Sequence, residues 1–144
     1  MSQILTILIA DDSPSDIQLL KMALDGLPVV HKVHTVPDGA AALDFLRGSG
    51  AYTGAPAVDV LVLDINMPKK TGHEVLKELK DDDHLRKIPV VMLSSSASPK
   101  DVRLAYDAHA NCYVQKPMEL DSWITVVQKI EKFWSQIVIY PPHK

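Results

Sequence analysis

The chain has little of several features that would place it in a special class of protein. Among 144 residues there is one cysteine, Cys112, so no disulfide can form within the chain, and a reducing cytoplasm is the expected compartment. No apolar run approaches the roughly 20 residues of a membrane-spanning helix, and the first residues do not resemble a signal peptide. The net charge of −3 gives no reason to expect nucleic acid or an anionic membrane as a partner.

The composition is that of one globular domain. Hydrophobic residues make up 47% of the chain and charged residues 23%, which is enough apolar material for a single core. Two domains would each be too small to bury a core easily. We therefore expect one domain over residues 1–136, followed by a C-terminal tail over residues 137–144.

Short apolar runs alternate with helix-like segments along the chain. The runs are Ile4–Ala10, Val30–Val36, Val58–Leu63, Pro89–Leu93 and Cys112–Val114. Three are almost continuously apolar, as in strands buried on both faces, whereas residues 30–36 alternate with polar residues, as in an edge strand. Five successive strand–helix units predict an α/β fold, with a parallel sheet, right-handed crossovers and helices on both faces.

Polar residues follow four of these runs. Asp11 and Asp12 follow the first, Asp64 the third, Ser94 the fourth and Lys116 the fifth. The carboxyl ends of parallel strands share one edge of the sheet, where ligands bind in such folds, so we expect these side chains to lie together.

A cluster of carboxylates at this edge needs a compensating charge. Two like charges ~4 Å apart cost about 4 kcal/mol at an effective dielectric of 20, so the acids require proton uptake, Lys116 or a cation. Oxygen ligands without nearby histidine select a hard ion, and Mg²⁺ typically combines one or two carboxylates with waters and a phosphate oxygen. Lys116 and Ser94 could then contact a phosphoryl group, and such positioning and charge neutralisation are what phosphoryl transfer chiefly needs.

The same segments resemble the receiver domains of two-component response regulators. The motifs are Ile9-Ala10-Asp11-Asp12-Ser13, Leu63-Asp64-Ile65-Asn66-Met67-Pro68, Gly72, Ser94 and Tyr113-Val114-Gln115-Lys116-Pro117. Singly they are weak, but all five occur in order at the predicted strand ends, and the resemblance covers roughly residues 3–135. It implies a flavodoxin-like (βα)5 fold with strand order 2-1-3-4-5.

The resemblance also implies a role for each site residue. Asp64 would accept the phosphoryl group, in a reaction that needs Mg²⁺. Asp12 would bind the ion directly, Asp11 through a water, and Asn66 through its backbone carbonyl. Lys116 would pair with the phosphoryl group or, before transfer, with Asp64.

Two further residues would form the switch. Ser94 would be the hydroxyl switch, with Ser95 and Ser96 as alternatives. Tyr113 would be the aromatic switch that turns inward on activation, with packed core as the alternative. The resemblance further implies a cis peptide bond before Pro117.

Narrower features resemble stand-alone receivers that partner phytochrome-type histidine kinases. These are Met67-Pro68-Lys69-Lys70-Thr71-Gly72, Asn111-Cys112-Tyr113, the extended loop before Val58 and the predicted last helix ending in Phe133-Trp134. The function implied is that of a single-domain response regulator, a signalling switch rather than an enzyme, in the cytoplasm.

The last predicted helix, Glu119–Trp134, carries apolar stripes broader than one core face requires. Trp123, Phe133, Trp134 and Ile137 are therefore candidates for a homodimer contact. The alternative is a wide core face with a tail that folds back.

Two other functions use related chemistry or a related fold. A Mg²⁺-dependent phosphatase or mutase with an aspartyl nucleophile usually has a second acid two residues after that nucleophile, where this chain has Asn66. A flavodoxin-like cofactor site would need a phosphate-binding loop after the first strand, where acidic residues would instead repel a phosphate.

Overall fold

A computed structural model describes residues 4–26 and 31–132 of the chain. The strands are β1 (Leu5–Ala10), β2 (His31–Val36), β3 (Val60–Leu63), β4 (Val90–Ser94) and β5 (Cys112–Gln115). The helices are α1 (Pro14–Asp25), α2 (Gly39–Arg47), α3 (Gly72–Lys80), α4 (Pro99–Asp107) and α5 (Leu120–Lys132), with a short 3-10 helix at Gly50–Tyr52.

The five strands form one parallel sheet in the order β2-β1-β3-β4-β5. The predicted fold is therefore confirmed, and β2 is an edge strand as expected. Ala10 pairs with Leu63, so β1 and β3 end at the same level. The backbone N–H of Asp64 donates to the carbonyl of Ala10 at 3.0 Å, which fixes the two strand ends side by side.

Successive residues of β1 face opposite sides of the sheet, as the pleat requires. Leu8 belongs to the apolar core shared with helices α2 and α3, whereas Ile7 and Ile9 belong to the core shared with α1 and α5. Both faces of the sheet are thus covered by helices, which explains the continuously apolar strands.

Helix α1 begins immediately beyond the edge where the acids were predicted. Ser13 is its N-cap, and the Ser13 hydroxyl accepts from the backbone N–H of Asp16 at 3.3 Å. Pro14 fills the first helical position, where its fixed φ and its missing N–H are tolerated. This local chemistry starts α1 only four residues after β1 ends, and so keeps its first turn next to the carboxyl ends of the strands.

Some predictions fall outside the described residues. The start of the second predicted strand, the end of the last predicted helix and the tail over residues 137–144 are among them. Of the helices in residues 4–26 and 31–132, none is long and apolar enough to cross a membrane.

Candidate functional site

Three carboxylates meet at the carboxyl ends of β1 and β3. Asp11 and Asp12 follow β1, Asp64 follows β3, and one oxygen from each lies within 4.8 Å of the others. Asp11 and Asp64 are buried, with 4% and 6% of their surfaces exposed, whereas Asp12 is exposed. The sequence prediction that these residues come together is confirmed, and their oxygens could hold a divalent cation.

Lys116 reaches the same edge from the end of β5. Its Nζ lies 2.8 Å from Oδ2 of Asp11, 2.9 Å from Oδ2 of Asp16 and 3.2 Å from Oδ2 of Asp64. The Lys116 side chain is 8% exposed, so its ion pairs with the buried Asp11 and Asp64 are largely shielded from water, whereas the Asp16 side chain is 31% exposed. The expected pairing of Lys116 with Asp64 is therefore present, and Asp16 joins it as an unexpected third acid.

Burial and charge affect the two central groups differently. Burial and the charge of Asp11 raise the pKa of Asp64, and the attraction to Lys116 only partly offsets them. Burial alone would lower the pKa of Lys116, but hydrogen bonds to Asp11 and Asp16 outweigh it, so the pKa lies above its ordinary value. Lys116 therefore stays charged, and the acid cluster holds an excess of negative charge that a cation would relieve.

Both oxygens of Asp64 have partners. Oδ2 accepts from Lys116 Nζ, and Oδ1 accepts from the backbone N–H of Ile65 at 2.8 Å. The backbone at Asp64 is held from the other side by Gly72, whose N–H donates to the carbonyl of Ile65 at 2.8 Å. A Cβ at Gly72 would collide with the carbonyl of Asp64, so this position requires glycine.

Ser94 ends β4 and is fully buried. Its hydroxyl accepts from the backbone N–H of Ser96 at 3.2 Å, and its carbonyl accepts from the N–H of Lys116 at 2.7 Å. Among the three serines, Ser94 therefore occupies the strand end, whereas Ser95 and Ser96 lie in the loop before α4. The phenol of Tyr113, on the neighbouring strand β5, donates to the carbonyl of Ser96 at 2.8 Å.

The structure corrects two expectations. The cis peptide bond expected before Pro117 is wrong: the peptide bonds of the described residues are all trans, which is the form that bonds to proline usually take. Trp123 is 1% exposed and packs with Leu20 and Val127 against the sheet, so this indole belongs to the core and cannot be part of a dimer surface. The other dimer candidates, Phe133, Trp134 and Ile137, lie outside the described residues.

The sequence alone assigned Asp16 no role at this site. One signal could have revealed it. Asp16 follows Asp12 by four residues, and α1 begins so close to the strand end that its first turn still borders the site. Asn66 lies two residues after Asp64 in the same loop, with its side chain exposed.

Comparison with known proteins agrees with this geometry. The family described as the response regulator receiver domain matches residues 7–128. The chain belongs to this family. This receiver is 39% identical over 135 residues to "Response regulator Rcp1" of Synechocystis sp., and the match covers 94% of the chain and 92% of that relative.

Solved structures of similar proteins have the same fold. This receiver superposes on the phosphorylated cyanobacterial phytochrome response regulator RcpA with a TM-score of 0.93 and 41% identity, covering 97% of the chain and all of that structure. The Mn²⁺-bound form of Rcp1 gives a TM-score of 0.90 with 39% identity and covers 95% of the chain and 99% of that structure. The chain is thus a response regulator receiver homologous to phytochrome response regulators, and the phosphatase alternative is not favoured.

Proposed function

We propose that this receiver is a signalling switch that accepts a phosphoryl group on Asp64 from a histidine kinase. The observation that carries the proposal is the contact of Lys116 Nζ with Asp64 and Asp11, beside the exposed carboxylate of Asp12. An anionic phosphoryl group can approach only where negative charge is compensated, and this edge combines an ammonium with a group of acids suited to a divalent cation.

The cation we propose is Mg²⁺. Asp11, Asp12 and Asp64 would supply side-chain oxygens and Asn66 its backbone carbonyl, and the all-oxygen set is typical of a hard ion. The Mn²⁺-bound structure of Rcp1 supports a divalent ion in this family. When bound, the ion would supply charge neutralisation for both the carboxylates and the incoming phosphoryl oxygens.

In the transfer step, an oxygen of Asp64 attacks phosphorus, an O–P bond forms and the N–P bond of the donor phosphohistidine breaks. The histidine nitrogen keeps the electron pair of that bond. Lys116 is already within hydrogen-bond distance of Asp64 and would donate to a phosphoryl oxygen after a small displacement. Its charge favours the anionic product at the place where the negative charge increases.

The added charge would then move the loop between β4 and α4. Ser94 would give up its bond from the N–H of Ser96 and donate its hydroxyl to the phosphoryl group, and Tyr113 would release the carbonyl of Ser96 and turn inward. A change of population from 1:99 to 99:1 requires about 5.5 kcal/mol of differential stabilisation. Two charge-assisted hydrogen bonds and the bound ion are contributions of that order.

The partner we propose is a phytochrome-type histidine kinase, because the similar proteins include phytochrome response regulators. Output would pass through a protein contact, onward phosphotransfer or a homodimer of a single-domain, cytoplasmic regulator, without nucleic acid or a membrane. The chain would act as a phosphoacceptor rather than as an enzyme on external substrates, although it assists its own phosphorylation and dephosphorylation.

Intact mass spectrometry after incubation with Mg²⁺ and acetyl phosphate tests the proposal. We expect a single labile phosphoryl adduct in the wild type and none in Asp64→Asn. Asp44→Asn, an exposed acid of α2, is the matched control and should be phosphorylated like the wild type. Turnover of phosphate esters without an adduct would instead indicate the phosphatase.

Light scattering tests the proposed homodimer. The wild type should have the mass of a dimer at high micromolar concentration, and the double variant Trp134→Ala/Ile137→Ala should shift toward the monomer. A monomeric wild type, with or without the phosphoryl group, would exclude the dimer.

A further inference from the structure

Lys116 has three N–H donors, and three carboxylates accept from them. Two of these acids, Asp11 and Asp64, belong to the group whose oxygens could hold a cation. Asp16 does not belong to that group, although its Oδ2 lies 2.9 Å from Lys116 Nζ. Among the described residues that contact the ammonium, Asp16 is thus the acid that a bound ion would leave to the lysine.

Hydrogen bonds at the start of α1 place Asp16 beside this contact. The Ser13 hydroxyl accepts from the backbone N–H of Asp16, and the N–H of Ser13 donates to Oδ1 of Asp11 at 2.9 Å. Lys116 Nζ links the two acids, because it contacts both Oδ2 of Asp16 and Oδ2 of Asp11. The four residues form a ring of hydrogen bonds that links the start of α1 to the end of β5.

Helix geometry gives a simpler role for Asp16, but not a sufficient one. An acid in the first turn interacts favourably with the positive end of the helix whatever lies beyond it. That role requires no lysine, whereas the Asp16 carboxylate contacts an ammonium from a residue 100 positions away in the chain. Asp16 also lies outside the group of acids that could hold a cation, so it can keep this contact while Asp11 and Asp64 exchange partners.

We infer that Asp16 is a positioning residue that keeps the Lys116 ammonium at the reaction site while Asp11 and Asp64 turn to the ion and the phosphoryl group. The inference rests on the proposed function and deepens it. Asp16 acts on the reaction only through Lys116. Substitution of Asp16 therefore slows phosphoryl transfer when Lys116 is present and has no effect when Lys116 is also substituted.

A double-mutant cycle on the rate of phosphorylation tests this dependence. Asp16→Asn keeps the shape of the side chain and removes its charge, and the rate is measured by intact mass with acetyl phosphate at saturating Mg²⁺. We expect the rate to fall about three- to tenfold, since a charge-assisted hydrogen bond becomes a neutral one. In the Lys116→Ala background, the same substitution should change the remaining rate by less than about twofold, as expected for an effect transmitted through the lysine.

Asp25→Asn is the matched control. Asp25 is an exposed acid at the other end of α1, so this substitution makes the same change of charge on the same helix. Its rate should equal that of the wild type. An unchanged rate in Asp16→Asn, or an equal loss with and without Lys116, would overturn the inference.

A second measurement does not require phosphorylation. Acetylation of lysines by an amine-reactive reagent is followed by peptide mass spectrometry in Mg²⁺, with the exposed Lys129 as internal reference. We expect Lys116 to react several-fold faster in Asp16→Asn than in the wild type. Equal reactivity would refute the positioning role. If the wild type forms no phosphoryl adduct with acetyl phosphate, the proposed function fails. The acetylation rate of Lys116 relative to Lys129 then decides by itself whether Asp16 restrains Lys116.

Discussion

The imidazole Nε2 of His73 lies 3.4 Å from Oδ1 of Asp101, and this contact joins the first turn of α3 to the first turn of α4. The other oxygen of Asp101 accepts from the Ser96 hydroxyl at 2.6 Å, and the carbonyl of Ser96 accepts from Tyr113. The hydrogen bond from Ser96 is the main reason that the pKa of Asp101 is lowered, and it keeps this carboxylate charged. Together these contacts fix the loop between β4 and α4 to the first turns of α3 and α4 and to β5.

Asp101→Ala should therefore make the switch easier to operate. The variant loses the bond from Ser96 and the contact with His73, and one hydrogen bond contributes about 0.5–1.5 kcal/mol net. We expect phosphorylation by acetyl phosphate to be about two- to tenfold faster, as measured by intact mass. Asp107→Ala, an exposed acid of the same helix, is the control. A rate at or below that of the wild type would mean that this network does not oppose switching.

Asp64→Asn should stabilise the protein when metal is removed by a chelator. The raised pKa of Asp64 means that the folded state binds its proton more readily than the unfolded state does, so this group costs stability as pH rises through its titration range. Burial of the charged carboxylate is only partly offset by Lys116, and Asp11 adds repulsion, so we expect a gain on the order of 1 kcal/mol at neutral pH.

Thermal unfolding at several pH values checks this expectation. The gain should appear as a rise of about 4 °C in Tm at neutral pH and should shrink toward acid pH, where Asp64 is protonated. Asp44→Asn is again the control. A lower Tm for Asp64→Asn at neutral pH would mean that the ion pair with Lys116 outweighs burial and repulsion.

Gly72→Ala should damage both the fold and the acceptor loop. The added Cβ meets the backbone of Asp64 and Ile65, which cannot move without disturbing the end of β3. Overpacking of this kind typically costs about 1–3 kcal/mol, and we expect slower phosphorylation of the folded fraction.

Gly26→Ala is the matched control for this glycine. A Cβ there would lie 3.6 Å from the carbonyl of Ala23, an ordinary contact, and φ is −77°. Chemical denaturation should show a loss of stability for Gly72→Ala alone. Equal free energies of unfolding for Gly72→Ala and Gly26→Ala would refute the predicted clash between a Cβ at Gly72 and the backbone of Asp64.

Asp12→Asn should separate metal binding from folding. Asp12 is exposed, so the substitution should leave the metal-free Tm nearly unchanged. In the wild type, Mg²⁺ at 100 times its Kd should stabilise the fold by about 2.7 kcal/mol through mass action. A titration followed by thermal unfolding should show that Asp12→Asn needs at least about tenfold more Mg²⁺, as loss of a charged ligand implies. An identical titration curve would remove Asp12 from the proposed ligand set.

The sequence was sufficient for the elements and for the edge where the acids meet. Apolar runs predicted the five strands within a few residues, and a parallel sheet necessarily brings Asp11, Asp64 and Lys116 to one edge. The role of Asp16 could not be read from strand ends, because Asp16 lies on α1 and the direction of its carboxylate depends on its contact with Lys116.

Apolar periodicity also failed to distinguish core from surface on α5. Trp123 lies on the stripe that was proposed for dimerisation, yet it packs on the sheet. Helical spacing predicts which residues share a side of a helix, but not which neighbour covers that side. The network around Ser96 was likewise beyond prediction, because Asp101 and His73 come from helices whose relative placement the sequence does not specify.

The contact between Asp16 and Lys116 spans 100 positions, and that between Asp64 and Lys116 spans 52. During synthesis the acids therefore emerge from the ribosome well before the lysine that neutralises them. A nascent chain that ends before β5 carries the carboxylates without their ammonium and cannot form the site, even where its first three strands have paired.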